Sequence, residues 1–172
     1  SLPVNPTHKT ACEAATLKHV KNCTTLPVPE VFAYDTSTDN PIGFEYILMQ
    51  FMPGVPLAKV WHKMSRKDQV SIVQQLAAFE AELFRHPFAR IGGLREVDFG
   101  FVMDSVSSAQ YFWHERIKDT VSKGPFNNAE DWVESLLKLI LHESERLHEH
   151  ATQYFEDGES EFAPIISNVS RI

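Results

Sequence analysis

The chain has 172 residues, 43% of them hydrophobic, and its 16 Lys and Arg against 23 Asp and Glu leave a formal charge of −7. Such a length suits about one domain, and no apolar run approaches the ~20 residues of a membrane-crossing helix. An acidic balance without a basic cluster removes the electrostatic footprint by which nucleic acid or an anionic membrane is held, so neither is expected as a partner.

Ser1 opens a stretch that lacks the charged, apolar and small-residue zones of a signal peptide, and the start reads as internal to a longer protein. After Pro3 and Pro6, periodicity predicts a helix over residues 10–22, with Glu13, Leu17, Val20 and Thr24 on one side. An acid within such an apolar stripe needs a cation beside it, unless the helix is rotated so that Glu13 reaches water. Cys12 and Cys23 would lie about 16 Å apart along this helix, too far for a disulfide. Two free thiols fit a reducing, intracellular compartment, cytoplasmic or mitochondrial.

The run Leu26-Pro27-Val28-Pro29 stops the helix. Residues 31–34 and 44–49 read as two strands of a hairpin, joined over 35–43 by a loop of turn-forming residues and closed by Pro53-Gly54. From there the pattern is mainly helical. Ser65 with Asp68 forms a capping signal for a helix reaching residue 85, in which Ile72, Leu76, Phe79 and Leu83 share a face. Residues 91–104 carry Gly92-Gly93 and an alternation of Val97, Phe99, Phe101 and Met103 that suits a short strand or hairpin. After a break at Gly124-Pro125, Asn128 caps a long helix to about residue 154, with Trp132, Leu136, Ile140 and Leu147 on one face. The architecture expected is α+β, a helix and a β-hairpin followed by a mainly helical segment.

No G-x-G-x-x-G or G-x-x-x-x-G-K-[ST] phosphate loop occurs, and no G-x-S-x-G of a serine hydrolase. Asp98-Phe99-Gly100 spells the metal-binding tripeptide of protein kinases, but no H-x-D loop with its asparagine precedes it. The plainer reading is a strand with Phe99 inward and Asp98 solvated. Along residues 142–150, Glu145 and His148 have the three-residue spacing of carboxylate-bridged metal sites, yet no second Glu-x-x-His exists, so the stretch reads as a solvated charged face. Asn22-Cys23-Thr24 and Asn168-Val169-Ser170 match the glycosylation acceptor pattern by chance if no secretory signal precedes them.

Taken together, residues 12–17, Leu26-Pro27-Val28-Pro29-Glu30-Val31-Phe32-Ala33-Tyr34-Asp35, and the run from Ile42 through Gln50-Phe51-Met52-Pro53-Gly54 to Leu57 resemble the fungal aminoglycoside-phosphotransferase-like family of kinase-fold proteins. The resemblance continues through Trp61-His62-Lys63-Met64-Ser65, Phe112-Trp113 and Lys123-Gly124-Pro125-Phe126, and is nearest to the branch named for altered inheritance of mitochondria. It implies a partial protein-kinase-like fold: residues 1–52 as the C-terminal part of the small lobe with its hinge, and 53–172 as the helical part of the large lobe, truncated before the catalytic loop. It further implies that Glu13 is the acid of the small-lobe helix, which pairs in the family with a phosphate-positioning basic residue on the preceding strand. Main-chain groups at Gln50 and Met52 would hold adenine.

What the resemblance implies for function is a segment of an ATP-dependent phosphotransferase acting on a hydroxyl of a small molecule, with ATP and Mg as cofactors of the full-length form. No catalytic or metal-ligating residue is assigned within this chain, which is expected to be inactive alone and not to bind the cofactors tightly. The alternative is a non-catalytic pseudokinase remnant acting as a protein-interaction module.

Overall fold

The computed structural model describes residues 6–112 and 114–155. Helix α1 spans Pro6–Cys23. It starts ahead of residue 10, where periodicity placed it, because proline is tolerated in a first helical turn whose N–H groups have no intrahelical acceptor. Among its described residues the buried side chains are Thr10, Cys12, Ala14 and Ala15. The expected stripe is therefore rotated: Glu13 lies on the outer side and reaches water.

Strands β1 (Val31–Asp35) and β2 (Tyr46–Met49) pair antiparallel, Ala33 opposite Leu48 and Asp35 opposite Tyr46, with a bulge between Val31 and Ala33. Phe44 and Glu45, expected in the second strand, belong to the loop instead. There the Asn40 amide donates to the Phe44 carbonyl at 2.9 Å, and its oxygen accepts from the Ile42 and Gly43 amides at 2.9 and 3.0 Å. This side chain replaces the ladder partners that would have extended the strand.

A short helix α2 (Leu57–Val60) and a 3-10 turn at Trp61–Lys63 lead to α3 (Arg66–Leu83). Ser65 caps α3 as expected, its hydroxyl accepting the Asp68 amide at 3.2 Å and donating to the Asp68 carboxylate at 2.6 Å. The row Ile72, Leu76, Phe79 and Leu83 is not buried, and no residue of α3 is.

Strands β3 (Gly93–Val97) and β4 (Gly100–Asp104) form a second hairpin whose two-residue turn is Asp98-Phe99. Phe99 is thus not inward: at the tip it is 101% exposed. The expected alternation ends where the chain reverses, and Gly100 takes φ 134°, a backbone state that favours glycine. Asp98, also exposed, is solvated as read.

Helix α4 spans Ala129–Phe155, capped by Asn128, which accepts the Asp131 amide at 2.8 Å. Its inner face is Trp132, Ser135, Leu136 and Leu139, while Ile140 and Leu147 are exposed. The helix meets the core on this i, i+3, i+4, i+7 set, a rotation from the expected face. The core itself is Val106, Tyr111, Phe112, Phe126 and Leu139, closed by a bridge between Ile91 and Phe126. These elements are the mixed α+β set expected of a partial kinase-like domain. The β3–β4 hairpin and the β1–β2 hairpin both pack on α1.

Candidate functional site

The segment after β2 keeps one strand-like contact before it leaves the sheet. The Gln50 amide donates to the Glu30 carbonyl at 2.8 Å, and the Gln50 side chain accepts the Glu30 amide at 3.3 Å. Phe51 is then 85% exposed and Met52 45%, ahead of Pro53 and of Gly54 at φ 145°. Among the described residues, no hydrogen bond reaches the Gln50 carbonyl or leaves the Met52 amide. A planar heterocycle meeting this edge would find one acceptor and one donor spaced two residues apart.

Glu13 stands on the outer side of α1 with the Lys9 ammonium 4.0 Å from its carboxylate. Its cation is therefore a neighbour one turn back. No hydrogen bond or ion pair joins Glu13 to Gln50 or Met52 among the described residues.

The placement of α1 depends on a cluster that sequence reasoning missed. Lys18 donates to both carboxylate oxygens of Glu96 on β3, at 3.0 and 2.7 Å, and the Tyr34 hydroxyl on β1 donates to the same carboxylate at 3.2 Å. The Lys18 ammonium also lies 5.0 Å from the centre of the Tyr34 ring. Burial, then the Glu96 charge and hydrogen bond, push the Tyr34 phenol above its ordinary value. At the other end of the helix, His8 contacts the Ser105 carbonyl at 2.7 Å and Thr10 donates to Glu45. Partners 35 to 97 residues apart leave no local pattern to read.

A cavity of about 730 Å³ opens between α1 and the end of α3, lined mostly by apolar groups that include Val20, Leu83, Phe84 and Phe88. His19 on its wall lies 5.1 Å from the Phe88 ring and 5.2 Å from the Phe101 ring. Desolvation, with a smaller effect from His86, lowers its pKa.

Residues 142–146 are not the plain solvated face expected. His142 Nδ1 sits 3.1 and 3.2 Å from the two carboxylate oxygens of Asp119, whose side chain is 3% exposed, and Arg146 is 3.6 Å from the same group. Arg116 pairs with Glu143. Burial pushes the Asp119 carboxyl up, but the Val121 amide, His142 and Arg146 together outweigh it and hold the group below the usual carboxylate range. Among the described residues no three His, Cys, Asp or Glu side chains gather as metal ligands would. Asp98 is exposed on its turn and belongs to no such group.

The model of the phosphotransferase enzyme family matches residues 3–154. A subtelomeric hrmA-associated cluster protein of Aspergillus fumigatus is 38% identical over 133 residues, covering 70% of this chain and 26% of that protein. The mitochondrial protein named altered inheritance of mitochondria protein 9 is 30% identical over 92 residues in Candida tropicalis, covering 50% of this chain and 15% of the relative. Its counterpart in Yarrowia lipolytica is 20% identical over 141 residues. The chain thus spans about a quarter or less of the length of the curated relatives it matches. No solved structure matches. No helix among the described residues is long and apolar enough to cross a membrane.

Proposed function

Because the chain belongs to the phosphotransferase enzyme family, we propose that it is a segment of an ATP-dependent phosphotransferase acting on a small-molecule hydroxyl, contributing the adenine side of the site. In this reading residues 1–52 are the C-terminal part of the small lobe and 53–172 the helical part of the large lobe. The observation that carries it is the edge after β2, where the Gln50 carbonyl and the Met52 amide are left over once the ladder ends at Glu30. Adenine presents a complementary donor and acceptor on one edge. Glu13 is the acid of the small-lobe helix, held by Lys9 until the phosphate-positioning cation meets it.

The chain alone does not turn over ATP, because phosphoryl transfer is positioning plus electrostatic stabilisation and this sequence lacks the motifs that supply both. The full-length protein uses ATP with Mg, and works inside the cell, in the cytosol or in mitochondria. The test is backbone NMR of the chain with millimolar ATP, alongside an ATP-turnover assay with aminoglycosides, choline and simple sugars. Shifts centred on Gln50 and Met52 with turnover at background are expected. Turnover that disappears on Asp98→Asn, or no shift at the hinge, overturns the reading. A second reading, a non-catalytic interaction module, is favoured by exposed side chains such as Phe51, Phe84 and Phe99.

A further inference from the structure

We propose that Glu96 is the positioning residue that sets the orientation of α1, and through it the direction in which Glu13 is presented. The contact between α1 and β3 is closest at one point. There Cys12 on the helix, itself buried, faces Gly93 on the strand, where an added Cβ would stand 2.8 Å from the Cys12 sulfur. The small groups at this point form no ridge that enters a groove, and ridges are what normally set a crossing angle. Among the ring contacts, His19 at 5.2 Å from the Phe101 ring on β4 is the wedge that resists a swing about the Cys12–Gly93 contact.

Polar fasteners add a directional constraint, and they are unevenly placed. Among the described residues the N-terminal half of α1 has three, His8 on the Ser105 carbonyl, Thr10 on Glu45, and Cys12, whose sulfur accepts the Ser107 hydroxyl. Toward its C-terminal half, Lys18 on Glu96 is the contact that ties the helix to β3. The same carboxylate takes the Tyr34 hydroxyl, so one group fastens α1, β1 and β3 together, and with them the hairpin that leads to Gln50 and Met52. A carboxylate accepting two donors from different elements fixes direction as well as distance. The hairpin from residues 93–104 is in this way a strut for the helix of residues 6–23. Moving it would re-aim Glu13.

The functional weight of this placement rests on the reading of Glu13 and the hinge given above, but the placement itself does not, and the two are separable by experiment. Residual dipolar couplings of the amides of α1, referred to those of β1 and β2, report the orientation of the helix independently of global stability. In Glu96→Ala the α1 couplings should shrink or reorient, and amide exchange over residues 18–23 should speed up roughly three- to tenfold, the scale of losing charge-assisted hydrogen bonds at a partly exposed site. Exchange in α4 should not change. Glu96→Gln, which still accepts from Tyr34, should show a smaller effect, and the reversed pair Lys18→Glu with Glu96→Lys should restore most of the orientation. Should Glu96→Ala fail to fold, Glu96→Gln combined with Tyr34→Phe gives the same readout more gently. Couplings unchanged in these variants, or a reversed pair that leaves α1 displaced while α4 stays protected, overturn the proposal. Adding ATP to the same samples tests the hinge separately: α1 moving as expected with no shift at Gln50 and Met52 refutes the hinge reading and leaves Glu96 standing.

Discussion

Replacing Asp119 by alanine should destabilise the chain by about 2 kcal/mol, and the figure can be assembled from its contacts. Its carboxylate accepts the Val121 amide at 3.0 Å in a nearly dry setting, the side chain being 3% exposed. Orphaning a buried amide costs about 1–2 kcal/mol. His142 and Arg146 add less, because their side chains are 44% and 35% exposed and water can take over when the carboxylate is gone, about 0.5 kcal/mol or less each. Asp119→Asn should cost about half as much, since the amide oxygen still accepts from Val121. The carboxyl is held below the usual range, so its contribution is present above the unfolded value of about 3.9 and is lost as pH falls through the folded value. The stability gap between the parent and Asp119→Asn should accordingly close as pH falls below about 4 into stronger acid. Urea unfolding followed by tryptophan fluorescence measures all three proteins. A cost below about 0.5 kcal/mol for the alanine variant, or a gap that stays open in strong acid, would refute the reasoning.

Gly92→Ala should cost about 3 kcal/mol or more, because its Cβ would stand 2.1 Å from the Asp104 carbonyl oxygen and a backbone atom must move; Gly43→Ala, with open space but φ 74°, should cost about 1 kcal/mol in the same urea series. Ser65→Ala removes the cap of α3 and should lower its amide protection by about 1 kcal/mol, with α4 unaffected. Glu13→Gln should change stability by less than about 0.5 kcal/mol, since the Lys9 pair is exposed and lies within one helix; a loss above about 2 kcal/mol would mean that Glu13 meets a buried cation.

Elements were legible in the sequence where local chemistry decides them. The Ser65 and Asn128 caps, the Pro27–Pro29 stop and the Gly-Pro break act over a few residues, and the structure has them where the sequence put them. Faces were less legible than elements. In α1 the buried residues are Thr10, Cys12, Ala14 and Ala15 while Glu13 is not, and Cys12 sits where Gly93 comes close, so the helix turns small side chains inward rather than the larger apolar ones that periodicity counts. Phe99 shows the limit from the other side: alternation alone does not say where a strand turns, and a two-residue turn put an aromatic ring into solvent. Long-range charge partners such as Lys18 and Glu96, or Asp119 and His142, carry no signal in either neighbourhood.

The seat of α1 also has a history in time. Its contacts reach forward to Glu96, Ser105 and Ser107, as far as 97 residues down the chain. During synthesis at about 5–20 residues per second, the helix would wait several seconds or more for its strut to be made. Closing a loop of that length costs only slightly more than closing one half as long, so distance is a modest thermodynamic burden. The wait matters more. Until β3 and β4 arrive, Cys12 lacks its Gly93 neighbour and His19 its Phe101 ring, and this interval is when a chaperone would have the most surface to hold.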